Sequence, residues 1–525
     1  MIRRRTPAAP SLGYSRYVLG VLVVVYVLNF LDRQIISILA EQIKADLHID
    51  DSQIGFLYGT AFAVFYAIFG IPLGRLADVW DRRTLIAWGL AFWSAMTALS
   101  GLSRNFPELA SSRIGVGVGE ASATPAAFSM LADSFPARLR ATVLAIYSSG
   151  IYIGAGLGLA IGGQIVDRWN AAWPSGQAPF GLTGWQAAYL AVGLPGLAIA
   201  LWVRSLREPV RGAQDGVVSA SEPHPFREAM RELRAVLPPF TLWNLVVLGA
   251  GARGVVRNLA TAAAIALGAA VLIRWTGSVA QWAALGLGIY SACSWVQSLR
   301  LRDPPAAELI LGSRAFRYAS LGFASVAFVS YGLGFWVPIH LIRDLKQTSA
   351  QVGTIAGLSA ALAGFLGVTS GGMLADRLRR RSVVGRLQVG LVTATAPLPL
   401  ILWLLGTDSA RTVYILNFPI SILVSMWIGA GASTIADLVL PRMRAVAAAF
   451  YILFITFIGL ALGPYTIGRL SVWTGDLAMA MRMALILDVA ACGFLLLAMR
   501  HLARDEASLR ERAKAAGERL EEAAA

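Results

Sequence analysis

The amino-acid sequence predicts an all-α membrane protein. We expect two pseudo-symmetric six-helix bundles with an inserted two-helix hairpin, about fourteen transmembrane helices in total. Hydrophobic residues make up 57% of the 525 residues and charged residues only 14%, whereas soluble domains are roughly 25% charged. Apolar runs of about 20 residues, the length that crosses a bilayer, recur along the whole chain. A short basic motif also occurs twice, once in each half of the chain.

The apolar runs are bounded by turn residues and charges, which give the order of the predicted helices. Six spans form a first bundle within residues 1–206, and six form a second bundle within residues 314–500. Residues 207–313 hold a hydrophilic cytoplasmic linker and a tight hairpin of two spans, and residues 501–525 form a charged cytoplasmic tail. The predicted spans are 17–41, 53–77, 84–103, 107–131, 141–166, 185–204, 255–275, 279–299, 317–342, 351–376, 383–406, 411–436, 445–470 and 480–500.

The distribution of basic residues explains the formal net charge of +15. Arginine clusters fall in alternate loops, beginning with Arg3, Arg4 and Arg5 before the first span, and the intervening loops are poorer in basic residues. By the positive-inside rule we expect both termini in the cytoplasm of a multi-pass protein of the plasma membrane, or of the inner membrane if the source is bacterial. The excess charge therefore reflects topology, and no nucleic-acid partner is predicted.

An internal repeat supports the division into two bundles. Six residues after the second span match, in order, six residues after the equivalent span of the second bundle: Gly74, Leu76, Ala77, Asp78, Arg82 and Arg83 match Gly372, Leu374, Ala375, Asp376, Arg380 and Arg381. A second match places Asp133 and Arg140 opposite Asp437 and Arg444. Two ordered matches indicate duplication, and parallel repeats are typical of transporters.

The repeated motif predicts a cytoplasmic gate. A glycine lets two helix ends approach closely, and an aspartate at a helix end pairs with arginines and caps the neighbouring helix. Such a cluster holds the cytoplasmic face closed and has to break for opening, although a solvated basic loop is the alternative reading. The predicted gate residues are Gly74, Asp78, Arg82, Arg83, Gly372, Asp376, Arg380 and Arg381.

Together these motifs resemble the major facilitator superfamily. The run from Tyr26 to Arg83, which contains YVLNFLDRQ and GRLADVWDRR, and the run SRIGVGVGEASATPAAFSMLADSFP from Ser112 to Pro136 are similar to its spinster-like branch. The resemblance implies a transporter that works by alternating access between two six-helix bundles. The inserted hairpin departs from the family's usual twelve helices.

Four charged residues inside predicted spans are candidates for function, because charges in a membrane are costly. Asp32 and Arg33 lie in the first span, and Arg113 and Glu120 lie in the fourth. Arg113 and Glu120 are two turns apart, roughly 10 Å along the helix, so each is expected to pair with the first span, Asp32 with Arg113 and Arg33 with Glu120. A network that only fixes packing is the alternative. The resemblance implies substrate recognition and proton linkage for all four.

The corresponding spans of the second bundle carry aromatic and amide side chains and no mid-span charge. If the fold resembles the superfamily, these residues line a cavity with one polar and one aromatic wall, which suits an amphiphile. They are Tyr331, Phe335, Trp336, Asn417, Phe418 and Trp427. Asp488, in the last span, is more consistent with structural pairing.

The leading functional prediction is secondary active transport of a lysolipid- or sphingoid-like amphiphile, or of a hydrophobic drug, with protons as the expected coupling ion. A proton-coupled carrier of small organic anions is the alternative. A membrane enzyme would need clustered histidines or a nucleophile with a base, and His48, His224, His340 and His501 are scattered. A sensor or receptor with a transporter fold is a third class, which the sequence does not exclude but for which it contains no supporting appended domain. We therefore expect no enzymatic activity, no metal and no cofactor, with a monomer in the bilayer.

Overall fold

The computed structural model describes residues 11–174, 178–212 and 223–518, and every regular element in those ranges is helical. The predicted basic cluster at Arg3, Arg4 and Arg5 lies outside the described residues, as does the end of the predicted tail from residue 519. The all-helical character expected from the sequence is therefore present wherever the structure describes the chain.

The first half of the chain forms long helices whose starts are set by capping side chains. Asp50 and Gln53 form a reciprocal capping box at the second helix, and Asp81 and Asn105 accept the free main-chain N–H groups of two later helices, as expected for these residue types. The helices are α1 (Leu12–Leu47), α2 (Asp51–Tyr58), α3 (Thr60–Val79), α4 (Arg82–Ser100), α5 (Phe106–Glu120), α6 (Ala123–Ser134), α7 (Ala137–Ala172) and α8 (Gly184–Arg204).

The inserted region begins with two short helices and continues with two long ones that pack antiparallel. They are α9 (Pro225–Val236), α10 (Phe240–Val247), α11 (Gly251–Thr276) and α12 (Val279–Arg302). Gly277 ends α11 in the left-handed conformation, with φ of 73°, which favours glycine. Asn258 on α11 donates to Ser294 Oγ at 3.0 Å and to Gln297 Oε1 at 2.9 Å on α12. Polar side chains thus hold the two long helices together.

The second half repeats the helical pattern with more local breaks. Its helices are α13 (Pro304–Ala307), α14 (Arg314–Arg343), α15 (Ser349–Val352), α16 (Leu358–Arg379), α17 (Gly385–Thr395), α18 (Leu398–Leu405), α19 (Ala410–Ser425), α20 (Trp427–Asp437), α21 (Arg444–Phe454), α22 (Gly463–Thr474), α23 (Leu477–Ala484), α24 (Ile486–Ala507) and α25 (Leu509–Ala515). Short π-helical turns lie at Glu308–Gly312, Gly353–Gly357 and Ile455–Leu462.

Within the described ranges, eleven helices are long and apolar enough to cross a membrane. The three other predicted spans are helical as well. Helices α4 and α12 are less apolar, and the predicted span 107–131 is divided into α5 and α6, which are 15 and 12 residues long. Each carries polar or charged residues that lower its hydropathy, including Arg82, Arg113, Glu120 and Arg300. A multi-pass helical protein is therefore supported, and the count of fourteen spans stays a prediction.

The chain packs into two compact units, and each takes a segment from the opposite half of the sequence. Unit 1 comprises Met1–Ile43, Phe69–Leu233 and Thr348–Ala361. Unit 2 comprises Lys44–Ile68, Arg234–Gln347 and Leu362–Ala525. The end of α1 and the start of α2 therefore pack with second-half helices, and α15 packs with α7.

These exchanged segments cross at glycines. In unit 2, a Cβ atom on Gly55 of α2 would lie 2.6 Å from the carbonyl oxygen of Pro464 on α22. In unit 1, a Cβ atom on Gly163 of α7 would lie 2.1 Å from the carbonyl oxygen of Ser349 on α15. Because no side chain fits at either point, the two helix pairs touch backbone to backbone.

Candidate functional site

Unit 1 contains a cluster of buried charges formed by α1 and α5. Arg113 and Glu120 are fully buried, and Asp32 is 2% exposed. Arg33 is slightly more open, with 11% of its side chain exposed. The four candidate residues therefore lie close together inside unit 1, and their role in transport stays a prediction.

Arg33 and Glu120 form an ion pair between α1 and α5. The Arg33 Nη2 atom donates to Glu120 Oε2 at 2.8 Å, which confirms this predicted pair. Glu120 is the last residue of α5, and α6 resumes at Ala123. The local helix break thus lies directly beside the buried carboxylate.

The predicted side-chain pair between Asp32 and Arg113 is wrong in this structure. Arg113 Nη1 donates to the main-chain oxygen of Asp32 at 3.2 Å, not to its carboxylate. The Asp32 carboxylate lies beside Trp93 and Thr97 of α4. Adjacent residues on a helix point about 100° apart, so when Arg33 faces Glu120 the neighbouring Asp32 turns toward α4.

Several charged atoms of this cluster are buried and have no hydrogen-bond partner among the described residues. They are the Nε and Nη2 atoms of Arg113, the Oε1 atom of Glu120 and the Oδ1 atom of Asp32. A buried charged group without a partner is costly, and native proteins rarely keep one without a role. The cluster therefore offers two donors and two acceptors to a ligand or a proton.

The predicted cavity residues of the second bundle divide into packed and half-exposed groups in unit 2. Phe335 stacks on Tyr58 with ring centroids 4.4 Å apart, and Trp336 Nε1 donates to the Pro464 carbonyl at 2.9 Å. Trp427 stacks on Phe323. Tyr331, Asn417 and Phe418 are half-exposed. Phe335, Trp336 and Trp427 thus act in packing in this conformation.

Asp488, the buried carboxylate of α24, makes no ion pair within the described ranges. The structural pairing favoured from the sequence is therefore not seen in this structure.

The gate motif of the first half is centred on a fully buried arginine. Arg82 donates to Asp133 Oδ2 at 2.5 Å, to Glu208 Oε1 at 2.6 Å and to the Pro209 carbonyl at 2.9 Å. Arg83 pairs with Asp81 at 3.2 Å and donates to the Leu206 carbonyl. The motif therefore fastens the start of α4 to α6 and to the segment after α8.

The linker also contributes to this cluster of ion pairs and hydrogen bonds, which the sequence did not indicate. Arg211 donates to main-chain carbonyls at the end of α3, including that of Asp78. The main-chain N–H of Gly212 donates to Asp133 Oδ1 at 2.9 Å. Burial raises the pKa of Asp81, but hydrogen bonds from Thr84 and the charge of Arg83 outweigh it and hold that pKa below its ordinary value. Asp81 therefore stays ionised as the N-cap of α4.

In the second half, the ion pairs are formed by different arginines from those that the motif predicted. Arg386 pairs with Asp437 and lies 3.6 Å from Asp376. Arg379 pairs with Glu506 at 3.0 Å. Arg380 and Arg381 are exposed and make no ion pair within residues 223–518.

The spacing of the ion pairs explains this correction. The arginine and aspartate of the central pair are 51 residues apart in both halves, Arg82 with Asp133 and Arg386 with Asp437. Arg386 is therefore the structural equivalent of Arg82, and the loop after Asp376 is longer than the loop after Asp78. The second sequence match, Asp133 with Asp437, already contained the correct offset.

Asp51 at the start of α2 is a charged centre in unit 2 that sequence reasoning missed. Arg343 donates to both of its carboxylate oxygens at 2.7 Å, Lys44 lies at 2.5 Å, and Ser471 donates at 2.6 Å. Three side chains, one at the end of α1 and two from the second half of the chain, thus converge on one carboxylate. Asp51 itself is only 5% exposed. It ties the start of α2 to the ends of α14 and α22.

Replacing Asp51 with asparagine is expected to lower the thermal stability of the protein. Arg343 and Lys44 would lose their anion, and hydrogen bonds to charged groups contribute about 1.5–3 kcal/mol each when buried; we expect a loss of about 2 kcal/mol because both cations are partly exposed. Thermal unfolding in detergent measures it. Asp408→Asn, at an exposed carboxylate, is the matched control, and equal melting temperatures for the two variants would contradict the prediction.

A family model described as Major Facilitator Superfamily matches residues 22–464. The chain belongs to this superfamily. It is 28% identical over 475 residues to an MFS-type efflux pump of Mycolicibacterium smegmatis, which covers 90% of this chain and 88% of that protein. It is also 28% identical over 494 residues to protein spinster homolog 1 of Homo sapiens, with 90% and 75% covered.

Solved structures agree with this membership of the superfamily. A bacterial homologue of the human lysosomal transporter Spinster, in an inward-facing and unoccupied conformation, superposes with a TM-score of 0.71 and 24% identity, covering 94% of this chain and 99% of that one. A peptide transporter of the POT family superposes with a TM-score of 0.65 and 15% identity, covering 96% and 97%. The prediction of a spinster-like major facilitator is confirmed, and the protein is a membrane transporter.

Proposed function

We propose that this transporter is a secondary active carrier of an amphiphile, lysolipid- or sphingoid-like or a hydrophobic drug, which works by alternating access and is coupled to protons. The observation that carries the proposal is the buried Arg113, whose Nε and Nη2 atoms have no partner among the described residues and lie near two carboxylates. The free guanidinium nitrogens can bind an anionic group, and the carboxylates can accept a proton.

Arg113 supplies the binding step of the proposal. A phosphate or carboxylate head group accepts two parallel hydrogen bonds from a guanidinium, which fixes its orientation. Because the site is buried, these bonds are electrostatically stronger than they are in water.

Glu120 supplies the proton step. In its ionised form it holds Arg33 at 2.8 Å. A proton on Glu120 removes the negative partner, so that the Arg33 guanidinium turns to the head group of the substrate. Loss of the proton restores the ion pair and expels the head group. Asp32, whose Oδ1 atom has no partner in the described part of the chain, is the second candidate proton carrier.

Replacing Glu120 with glutamine is expected to uncouple transport from pH. The neutral amide keeps the shape of the protonated state, so uptake in proteoliposomes should change less than about twofold when a proton gradient is imposed. Wild-type uptake is expected to respond to the same gradient. Glu108→Gln, at an exposed carboxylate of the same helix, is the control, and an unaltered pH response in Glu120→Gln would remove the carboxylate from the proposal.

A small organic anion is the second candidate substrate, because a guanidinium binds a carboxylate as well as a phosphate. Proteoliposome uptake of a lysophospholipid and of a sugar acid, each driven by a pH gradient, distinguishes the two. We further propose that the protein is a monomer in the plasma membrane with cytoplasmic termini, as the arginine-rich loops indicate.

A further inference from the structure

Unit 2 contains a second site, distant in sequence from the charged cluster, between the inserted helices and the C-terminal bundle. A cavity of about 560 Å³ lies between α11, α12, α21 and the π-helical turn Ile455–Leu462. Its walls are mostly apolar and include Leu285, Ile289, Phe454 and Phe457. The volume falls within the range of roughly 300–1,000 Å³ that is typical of small-molecule sites.

The outer side of this region is built to face hydrocarbon. α11 is long and apolar enough to cross a membrane, and only a small part of it is buried. Val256, Leu267 and Val271 each expose 60% or more of their surface. A soluble ligand or peptide would meet an apolar barrier here, whereas a lipid of the bilayer has direct access.

Two arginines give the cavity a charged end. Arg257 lies near the start of α11 and Arg300 near the end of α12, so the antiparallel packing brings both to the same end of the helix pair. Neither forms an ion pair or a side-chain hydrogen bond with the described residues, and the cavity lining contains no carboxylate. Two positive charges in the wall of an apolar cavity therefore lack a protein anion.

A rigid polar group lies beside the arginines. Gln297 lines the cavity and is only 8% exposed. Its Oε1 atom accepts from Asn258 at 2.9 Å, and Tyr290 donates to the same Asn258 at 2.7 Å. The amide nitrogen of Gln297 donates to no described residue. The network fixes the side chain and leaves the amide nitrogen, with its two N–H groups, for a ligand.

We propose that this cavity binds one anionic phospholipid of the surrounding bilayer. The phosphate accepts hydrogen bonds from Arg257, Arg300 and Gln297, and an acyl chain fills the apolar part between α12 and α21. Basic pockets between membrane helices recognise anionic head groups in this way. The site shares no residue with the cluster of Asp32, Arg33, Arg113 and Glu120, and it gives the inserted helices the role of a lipid-binding brace.

Native mass spectrometry of the full chain, released from bilayers that contain phosphatidylglycerol and phosphatidylethanolamine of the same chain length, tests the proposal. We expect one retained phosphatidylglycerol, preferred about tenfold over phosphatidylethanolamine. Arg257→Ala with Arg300→Ala should reduce its retention about tenfold. The matched control, Arg253→Ala with Arg274→Ala, removes two exposed arginines of the same hairpin that lie outside the cavity, and should retain the lipid.

Two further measurements keep the test decisive if the double variant folds poorly. Ala292→Trp fills the cavity without changing charge and should also expel the lipid. Cys293 lines the cavity and Cys492 is the second of two cysteines, so in a Cys492→Ser background phosphatidylglycerol should slow maleimide labelling at Cys293. Equal retention of both lipids would overturn the proposal, and so would unchanged retention in the arginine variant. If the wild type instead proves to be a dimer and Ala292→Trp a monomer, the cavity binds a second copy of the chain, and the proposal is again overturned.

Discussion

Replacing Arg113 with alanine is expected to abolish transport while the protein stays folded. The side chain donates one hydrogen bond, to the Asp32 carbonyl, and its Nε and Nη2 atoms have no partner in the described ranges. Its loss leaves a cavity and removes a positive charge near Asp32 and Glu120, but neither carboxylate is hydrogen-bonded to it, so we expect a cost of about 1–3 kcal/mol, less than for Arg82→Ala. Substrate affinity should fall at least about 100-fold, because two charge-assisted hydrogen bonds contribute roughly 1.5 kcal/mol or more each.

Thermal unfolding without substrate measures the stability of the variant, and the shift of its melting temperature with substrate measures binding. Uptake in proteoliposomes measures transport. Arg113→Lys keeps the charge but lacks the planar fork, so we expect it to restore only part of the affinity. Arg104→Ala removes an exposed arginine just before the same helix and should leave transport unchanged. Normal uptake by Arg113→Ala, or a collapse of its melting temperature without any binding defect, would assign Arg113 to packing.

The sequence was most informative where a physical cost is visible in the residue pattern. Charges inside apolar runs are rare enough that Asp32, Arg33, Arg113 and Glu120 could be selected without a structure, and all four lie together in unit 1. Their detailed pairing was less predictable, because it depends on the rotation of α1 about its axis. A rotation that brings Arg33 to Glu120 necessarily moves Asp32 toward α4.

Groups that act across long separations in sequence were not predictable. In the sequence, Asp51 is one of several acidic residues in a short loop. Only the packing of α2 against α14 and α22 shows that Arg343 and Ser471 converge on it. Likewise, Glu208 and Arg211 belong to a segment that reads as a hydrophilic linker. The composition of this segment predicts that it is exposed to solvent. It does not predict that Glu208 accepts a hydrogen bond from the buried Arg82.

For the inserted helices, too, the sequence predicted the helices but not the side-chain contacts between them. Hydropathy detected two apolar runs joined at Gly277, and the structure forms helices in both. The positions of Arg257 and Arg300 in one cavity wall depend on the antiparallel register, which Asn258, Ser294 and Gln297 fix through side-chain hydrogen bonds. A run of amide and hydroxyl residues does not specify its partners until the register is known.

Three arginine variants are expected to show that Arg386, and not Arg380 as the sequence match suggests, is the structural equivalent of Arg82. Arg82→Ala should cost about 3–5 kcal/mol, because it leaves Asp133 and Glu208 as buried or half-buried anions without a cation. Arg386→Ala should cost about 1–2 kcal/mol, because its pair with Asp437 is partly exposed to solvent. Arg380→Ala removes an exposed side chain and should change stability by no more than about 0.5 kcal/mol.

Thermal unfolding of the three variants in one detergent orders these effects. If the sequence motif alone determined the ion pair, Arg380 would be the counterpart of Arg82, and its removal would be as destabilising as that of Arg386. The 51-residue spacing shared by the two ion pairs argues instead that duplication conserved the contact between the arginine of one helix start and the aspartate of another helix end. A loss of stability in Arg380→Ala that equals the loss in Arg386→Ala would contradict that argument, since an exposed arginine without a partner has no interaction to lose.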